Sequence, residues 1–232
     1  MSYFPEIQRA QVDALKPSSY FLKGLKRRFF DAPKQKVFVI GLHKTGTTSL
    51  GKALQRLGYR VCGSHKTAYD YVNVEQDVRD YLMDRAEDHF KEFNAFQDTP
   101  WFLLYKNLYE RFPNAKFILT LRDRESWLRS AQSHFKKHPF PFHDILYANH
   151  NPVEHPAIYR EVFDTHNENV LDFFKDKGQL LSFRVGHDGY EALTDFLETS
   201  SINEPFPHAN KKSSRNQWIT KLKKRLKQIW YQ

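Results

Sequence analysis

A chain of 232 residues is long enough for one domain with additions or two very small ones, and with 40% apolar residues, 20 Phe and 12 Tyr it can bury a full core, which excludes disorder over most of its length. The formal charge of +9 sits at the ends: residues 1–36 and 207–232 each hold eight basic residues, against three and no acidic ones, while residues 37–206 are mildly acidic. That distribution excludes a uniformly basic nucleic-acid-binding domain. The single cysteine, Cys62, excludes an intrachain disulfide. Met1–Pro17 is mixed and polar, with no apolar core of a secretory signal, and the longest early apolar run is far short of the roughly 20 residues that span a bilayer. The expectation is a soluble cytoplasmic protein.

In chain order, residues 1–35 form a basic N-terminal extension, helical in part. The cluster Lys23–Arg28 lies among Tyr20, Phe21, Phe29 and Phe30. Lys36–Leu42 is apolar and β-branched, as a strand covered on both faces should be. It runs into a helix at Thr47–Leu57, where Leu50, Ala53, Leu54 and Leu57 share a face and Gly58 provides the stop. Tyr59–Cys62 is a short strand expected beside the first, and Asn94–Asp98 is a weaker one. Helices are expected near Val74–Phe90, Pro100–Arg111 and Pro156–Lys175. Lys116–Arg122 and Gln179–Gly186 read as further strands, followed by helices Glu125–Phe135 and Tyr190–Leu197. The stretch Lys137–Pro156, with four prolines, reads as a long loop of the kind that often forms a lid or a binding segment. Strands alternating with helices over residues 36–206 predict an α/β domain with a doubly wound parallel sheet. A basic segment with an amphipathic helix occupies 207–232.

The sharpest local signal is Gly41-Leu-His-Lys-Thr-Gly-Thr-Thr48, between a buried strand and an amphipathic helix. Two glycines let the backbone curl so that N–H groups point inward, the helix N-terminus adds its dipole, Thr47 and Thr48 offer hydroxyls, and Lys44 adds a full charge. The plainer reading is a strand-to-helix turn with glycines for geometry. A nucleotide-triphosphatase loop needs Lys directly after the second glycine, and here Thr47 stands there. The second strand ends in Arg122 rather than carrying an acidic Mg²⁺ ligand. Phosphate binding survives that comparison and ATP hydrolysis does not. Arg122 ends a parallel strand where ligands of open α/β sheets collect, Ser130 lies two turns into the next helix, and Trp127 between them is a core residue or a stacking ring for a base, core being favoured.

Lys-Thr-Gly-Thr-Thr-Ser-Leu after a strand resembles the 5′-phosphosulfate loop of sulfotransferases that use 3′-phosphoadenosine 5′-phosphosulfate (PAPS). Residues 112–130, with a strand ending in Arg and a Ser eight residues on, resemble the family's 3′-phosphate segment, and Leu180–Leu197 followed by Glu204–Asn210 resembles the end of one subgroup. The resemblance runs in order over roughly residues 36–210. It implies a three-layer P-loop fold, a metal-independent sulfuryl transfer from PAPS to a hydroxyl or amine, and cofactor contacts by His43, Lys44, Thr45, Gly46, Thr47, Thr48, Arg122 and Ser130. It makes Lys44 the cation at the bridging oxygen. At the family's base position this chain has Asp98, whose plainer role is a cap for the helix starting at Pro100; His43 and His65 are reserves. Lys211, Lys212 and Arg215 stand where the family has a basic loop over the 3′-phosphate, without its usual Arg-Lys-Gly triplet.

A kinase of small molecules, and a nucleotide-binding module without turnover, are the competing readings. His134, His138 and His143 lack metal-ligand spacing and read as solvated. The expected acceptor is a small molecule or saccharide, with Tyr69, Tyr71, Phe140, Phe142 and Tyr147 either lining its site or simply packing. The basic ends could dock on the domain, lie on an anionic membrane surface, or steer an anionic ligand.

Overall fold

The computed structural model describes residues 14–16, 18–65, 77–135, 142–148 and 151–208. Five strands form one all-parallel sheet: β1 (Val37–Val39), β2 (Val61–Cys62), β3 (Ala95–Phe96), β4 (Lys116–Leu121) and β5 (Leu180–Arg184), in the order β2-β3-β1-β4-β5. The short run at 61–62 therefore does not lie beside β1. The weaker strand β3 is inserted between them, and β2 is the edge. The reason lies in burial: Ala95 and Phe96 are fully covered, as a strand with neighbours on both sides must be.

Successive residues of β1 face opposite layers. Val37 and Val39 pack with Ala95, Ile118 and Phe183 against α2 (Thr47–Arg56) and α9 (Tyr190–Phe196). Phe38 and Ile40 join Phe96, Phe117 and Leu119 on the other face. There Phe38 stacks between Phe96 and Phe117 at centroid distances of 4.9 and 5.5 Å, a ring row across three strands. That face is covered by α3 (Val78–Arg85), α4 (Glu87–Glu92), a 3₁₀ turn (Trp101–Leu103), α5 (Tyr105–Arg111), α6 (Arg124–Phe135) and α8 (Pro156–Phe174). Each fully buried Phe contributes on the order of 1.5–3 kcal/mol. The outcome is a three-layer α/β fold.

Three helical expectations change in detail. The stretch up to Phe90 breaks at Ala86 into α3 and α4, and the helix expected from Pro100 starts as a 3₁₀ turn before α5. The proline-rich stretch holds a short helix, α7 (Phe142–Tyr147), whose Tyr147 is buried and stacks on Tyr159 at 3.8 Å. Within the N-terminal extension, α1 (Ser19–Phe30) docks on the domain, with Arg27 and Arg28 donating to backbone carbonyls of Ser200, Ser201, Gly58 and Tyr59. Most of the basic C-terminal segment, with Lys211, Lys212 and Arg215, lies outside the described residues. So do Tyr69, Tyr71, His138 and Phe140. No helix among the described residues is long and apolar enough to cross a membrane.

The strand order reverses direction of growth at β1: β2 and β3 lie on one side, β4 and β5 on the other. In open parallel sheets the crevice beyond the strand ends at such a switch point receives ligands. Here it is bounded by the loop after β1 and the start of α6 after β4.

Candidate functional site

The loop from Gly41 to Gly46 is shaped by its neighbours. A Cβ on Gly41 would stand 2.5 Å from the Thr120 carbonyl oxygen and 2.7 Å from its nitrogen, so only glycine lets the loop lie against β4. Gly46 has φ +109°, and a side chain there would also strike Val185. Lys44 adopts φ 68°, a left-handed conformation that a non-glycine residue holds only when its surroundings impose it.

Those surroundings are hydrogen bonds from four directions. The His166 ring bonds the Ile40 carbonyl at 2.8 Å, the Trp127 indole N–H donates to the His43 carbonyl at 2.8 Å, and Arg122 Nη1 donates to the Lys44 carbonyl at 2.9 Å. Thr45 Oγ1 donates to the Leu42 carbonyl at 2.5 Å, so the Thr120 hydroxyl must be the donor in its 2.5 Å contact with Thr45 Oγ1. Burial drives the His166 pKa down to about 4, so the ring is neutral and donates Nε2–H. With these carbonyls turned into the protein, the amides of Lys44, Gly46, Thr47 and Thr48 have no acceptor among the described residues. A run of such amides at the start of a helix, α2, is an anion cradle.

Two clefts meet at this loop. The larger, about 780 Å³, is lined among others by Lys44, Thr45, Gly46, Arg122, Ser130, Arg184 and His208. The smaller, about 430 Å³, is lined by Lys44, Arg122, Ser126, Arg129, Ser130, Ser133 and His134. Lys44, Arg122, Ser126 and Ser130 belong to both. Burial lowers the Lys44 pKa, an effect the Asp98 carboxylate opposes. Burial also lowers the Arg122 pKa, and the Arg129 guanidinium adds to that by repulsion.

The sequence-derived residues fall into distinct places. Lys44, Thr45, Gly46, Arg122 and Ser130 converge on the larger cleft. Thr47 is buried and Thr48 half-buried; neither lines a cleft, and what they offer is their amides. His43 contributes its backbone, while its ring is buried among Phe102, Trp127, Phe135, His143 and Tyr147 and shares a 2.9 Å hydrogen bond with the Tyr147 hydroxyl. Burial and His143 hold its pKa well below the ordinary value. His65 is fully buried beneath β2, bonded to the Arg85 carbonyl and stacked on Trp101. Neither reserve histidine presents its ring to a cleft. His143, expected in a solvated loop, is likewise buried.

Asp98 follows β3 with φ 77° and is half-buried. Its Oδ1 accepts the Thr99 amide at 2.9 Å, and its carbonyl, not its carboxylate, bonds the Trp101 amide. Burial raises its pKa, while the Thr99 amide, then Lys44, pull it back. The carboxylate feels the positive charge of Lys44 without forming an ion pair with it, and Asp98 lines neither cleft. Trp127 is completely buried, against Phe163 at 4.6 Å, so it is core rather than a stacking platform.

Sequence reasoning missed Ser49, Ser126, Arg129, Ser133, His134, Arg184, His187 and His208 as lining residues. Arg184 ends β5 and Arg122 directly follows β4, so the same strand-end rule could have found Arg184. Ser126, Arg129, Ser130, Ser133 and His134 fall at helical spacing on one stripe of α6. His208 lies in the tail after Glu204, which ion-pairs with Lys23 and Arg56 and so ties that tail to α1 and α2.

A family model described as "Sulfotransferase domain" matches residues 36–156 and 141–215, which is more than half of the chain. The chain is also similar to "Ava biosynthesis cluster protein M" of Aspergillus versicolor, 26% identical over 209 residues that cover 75% of this chain and 80% of that protein.

Proposed function

This chain belongs to the sulfotransferase domain family, and we propose that it moves a sulfuryl group from PAPS to a hydroxyl or amine acceptor by in-line displacement, acting in the cytoplasm and without a metal. The observation that carries the reading is the set of acceptor-free amides at the loop and the start of α2, of which those of Lys44 and Gly46 belong to residues lining the cleft that Arg122 and Ser130 also line. PAPS, when bound, supplies a sulfuryl group activated by its phosphosulfate anhydride. In this reading the amides of Lys44, Gly46, Thr47 and Thr48 hold the 5′ end, Thr45 shapes the loop by bonding the Leu42 carbonyl with its hydroxyl and its amide, and Arg122 with Ser130 holds the 3′-phosphate. The residues present fit such a donor: the cleft offers three positive side chains, Lys44, Arg122 and Arg184. Its carboxylate, Asp123, accepts the Ser126 amide at 2.8 Å as a cap of α6. Lys211 and Lys212 stand on the chain beyond His208, and their role over the 3′-phosphate remains part of the proposal.

Lys44 places its ammonium where negative charge develops as the bridging oxygen departs. Asp98 takes the proton of the attacking hydroxyl on Oδ2, the oxygen that Thr99 leaves free. Burial that raises its pKa makes Asp98 a stronger base than an exposed aspartate. The name of the fungal relative, from a biosynthesis cluster, favours a small-molecule acceptor. Calorimetry with adenosine 3′,5′-bisphosphate and with ATP tests the donor. Tighter binding of the bisphosphate, lost in Arg122→Gln, is expected; tighter binding of ATP would overturn the reading in favour of a kinase.

A further inference from the structure

The smaller cleft has an unusual wall. Among the described residues its lining comprises Lys44, Arg122 and Arg129, the hydroxyls of Ser126, Ser130 and Ser133, and His134, with neither a carboxylate nor an aliphatic or benzenoid side chain. None of the three cations has a carboxylate within ion-pair distance among the described residues: Arg122 is bonded to the Lys44 carbonyl and Arg129 to Ser126 Oγ at 2.8 Å. Elsewhere on the same helix the charges are paired, Arg124 with Asp164 and Glu125 with Arg160. On α6 the unpaired positive charge therefore lies on the cleft face.

That face is too long for a single phosphate. From Ser126 to His134 the stripe rises roughly 12 Å at 1.5 Å per residue. If Arg122 and Ser130 hold the 3′-phosphate, as the proposed function has it, then Arg129, Ser133 and His134 remain for something else. They line only the smaller cleft, which shares Lys44, Arg122, Ser126 and Ser130 with the larger one, and Lys44 is the residue beside the reacting group.

We infer that the smaller cleft is the acceptor subsite and that it takes an acceptor whose nucleophilic hydroxyl or amine is joined to an oxyanion, a carboxylate or a sulfate or phosphate ester. The inference rests on the sulfotransferase reading. The nucleophile lies toward Lys44 and Asp98, and the oxyanion is held by the Arg129 fork and the Ser133 hydroxyl. A guanidinium suits this task because it meets a planar oxyanion with two parallel N–H donors. Arg129 is exposed in the free protein, so an acceptor that covers its guanidinium without supplying a counter-charge forfeits its hydration, a cost that discriminates against neutral acceptors.

The test uses the full chain and labelled PAPS with matched acceptors on three scaffolds, phenolic, alkyl and sugar, each carrying an amide, a carboxylate or a sulfate ester. On at least one scaffold an oxyanion member should exceed its amide by about tenfold or more in kcat/KM, and whichever oxyanion gains more identifies the natural class. Arg129→Gln should bring the ratio near one, and Arg129→Lys should restore part of it. Binding of adenosine 3′,5′-bisphosphate to Arg129→Gln should stay much tighter than to Arg122→Gln. Amides that match or exceed the oxyanion members on every scaffold overturn the inference alone. So does a bisphosphate affinity that falls as far in Arg129→Gln as in Arg122→Gln. Absence of both bisphosphate binding and transfer would remove the sulfotransferase reading, and the inference with it.

Discussion

The loop wall of the cleft, residues 40–48, has carbonyls tied down by His166, Trp127, Arg122 and Thr45, whereas the α6 wall presents Arg129, Ser130, Ser133 and His134 with little bonding to the rest of the described protein. The α6 backbone itself is anchored through Glu125 and Arg124 to α8. Only its cleft-facing side chains are left uncommitted. Under the proposed function the contrast separates two tasks. A donor common to a whole reaction class calls for a rigid, preorganised cradle, and an acceptor that defines specificity calls for side chains that can be exchanged without disturbing it.

Removing the base should cost the most, ahead of any break in the rigid wall. Asp98→Asn is expected to lower kcat about 10²–10⁴-fold, the usual loss of a general base. In the parent protein the acid limb of the rate profile should lie above the ordinary aspartate range, because burial raises the Asp98 pKa and the base works only when deprotonated. The variant should lack that limb, and an unchanged rate would reduce Asp98 to a cap. Next, Arg122→Gln removes both a phosphate contact and the bond to the Lys44 carbonyl, so bisphosphate affinity should fall roughly ten- to hundredfold in calorimetry. Gly41→Ala forces a methyl group onto the β4 backbone and is expected to destabilise the fold by about 1–3 kcal/mol in denaturant titrations. An unaffected midpoint would mean that the loop is not rigid. The smallest effect should come from Glu204→Gln. The Arg56 and Lys23 hydrogen bonds hold the Glu204 pKa at about 2. A carboxylate depressed in this way adds stability that is fully present above its unfolded value near 4.5 and is lost as pH falls toward 2. The variant should therefore melt slightly lower at neutral pH, with the gap closing as the pH falls through that window.

The same contrast marks what was legible in the sequence. The cradle was, because strand, glycines, lysine and helix are contiguous, and Arg122 follows from the strand-end rule. The place of β3 was not: two buried residues, Ala95 and Phe96, carry no periodicity, and their position between β1 and β2 depends on pairing across the chain. The helix α7 was hidden by prolines on either side of a six-residue segment. Ring orientation escaped as well. His43 adjoins Lys44 in sequence, yet its ring turns into the aromatic core while the lysine turns to the cleft. His208 and Arg184 reach the cleft only through tertiary placement of the last strand and the tail.

The central claim, that Lys44 on an anion-binding loop serves sulfuryl transfer, is tested most directly by following labelled sulfate from PAPS to a mixed acceptor panel with the parent protein and Lys44→Ala side by side. Transfer by the parent and a loss of about 10²–10³-fold in the variant, with its melting curve retained, is the expected result. Transfer at the same rate by Lys44→Ala, or none by a parent protein that binds adenosine 3′,5′-bisphosphate, would contradict it.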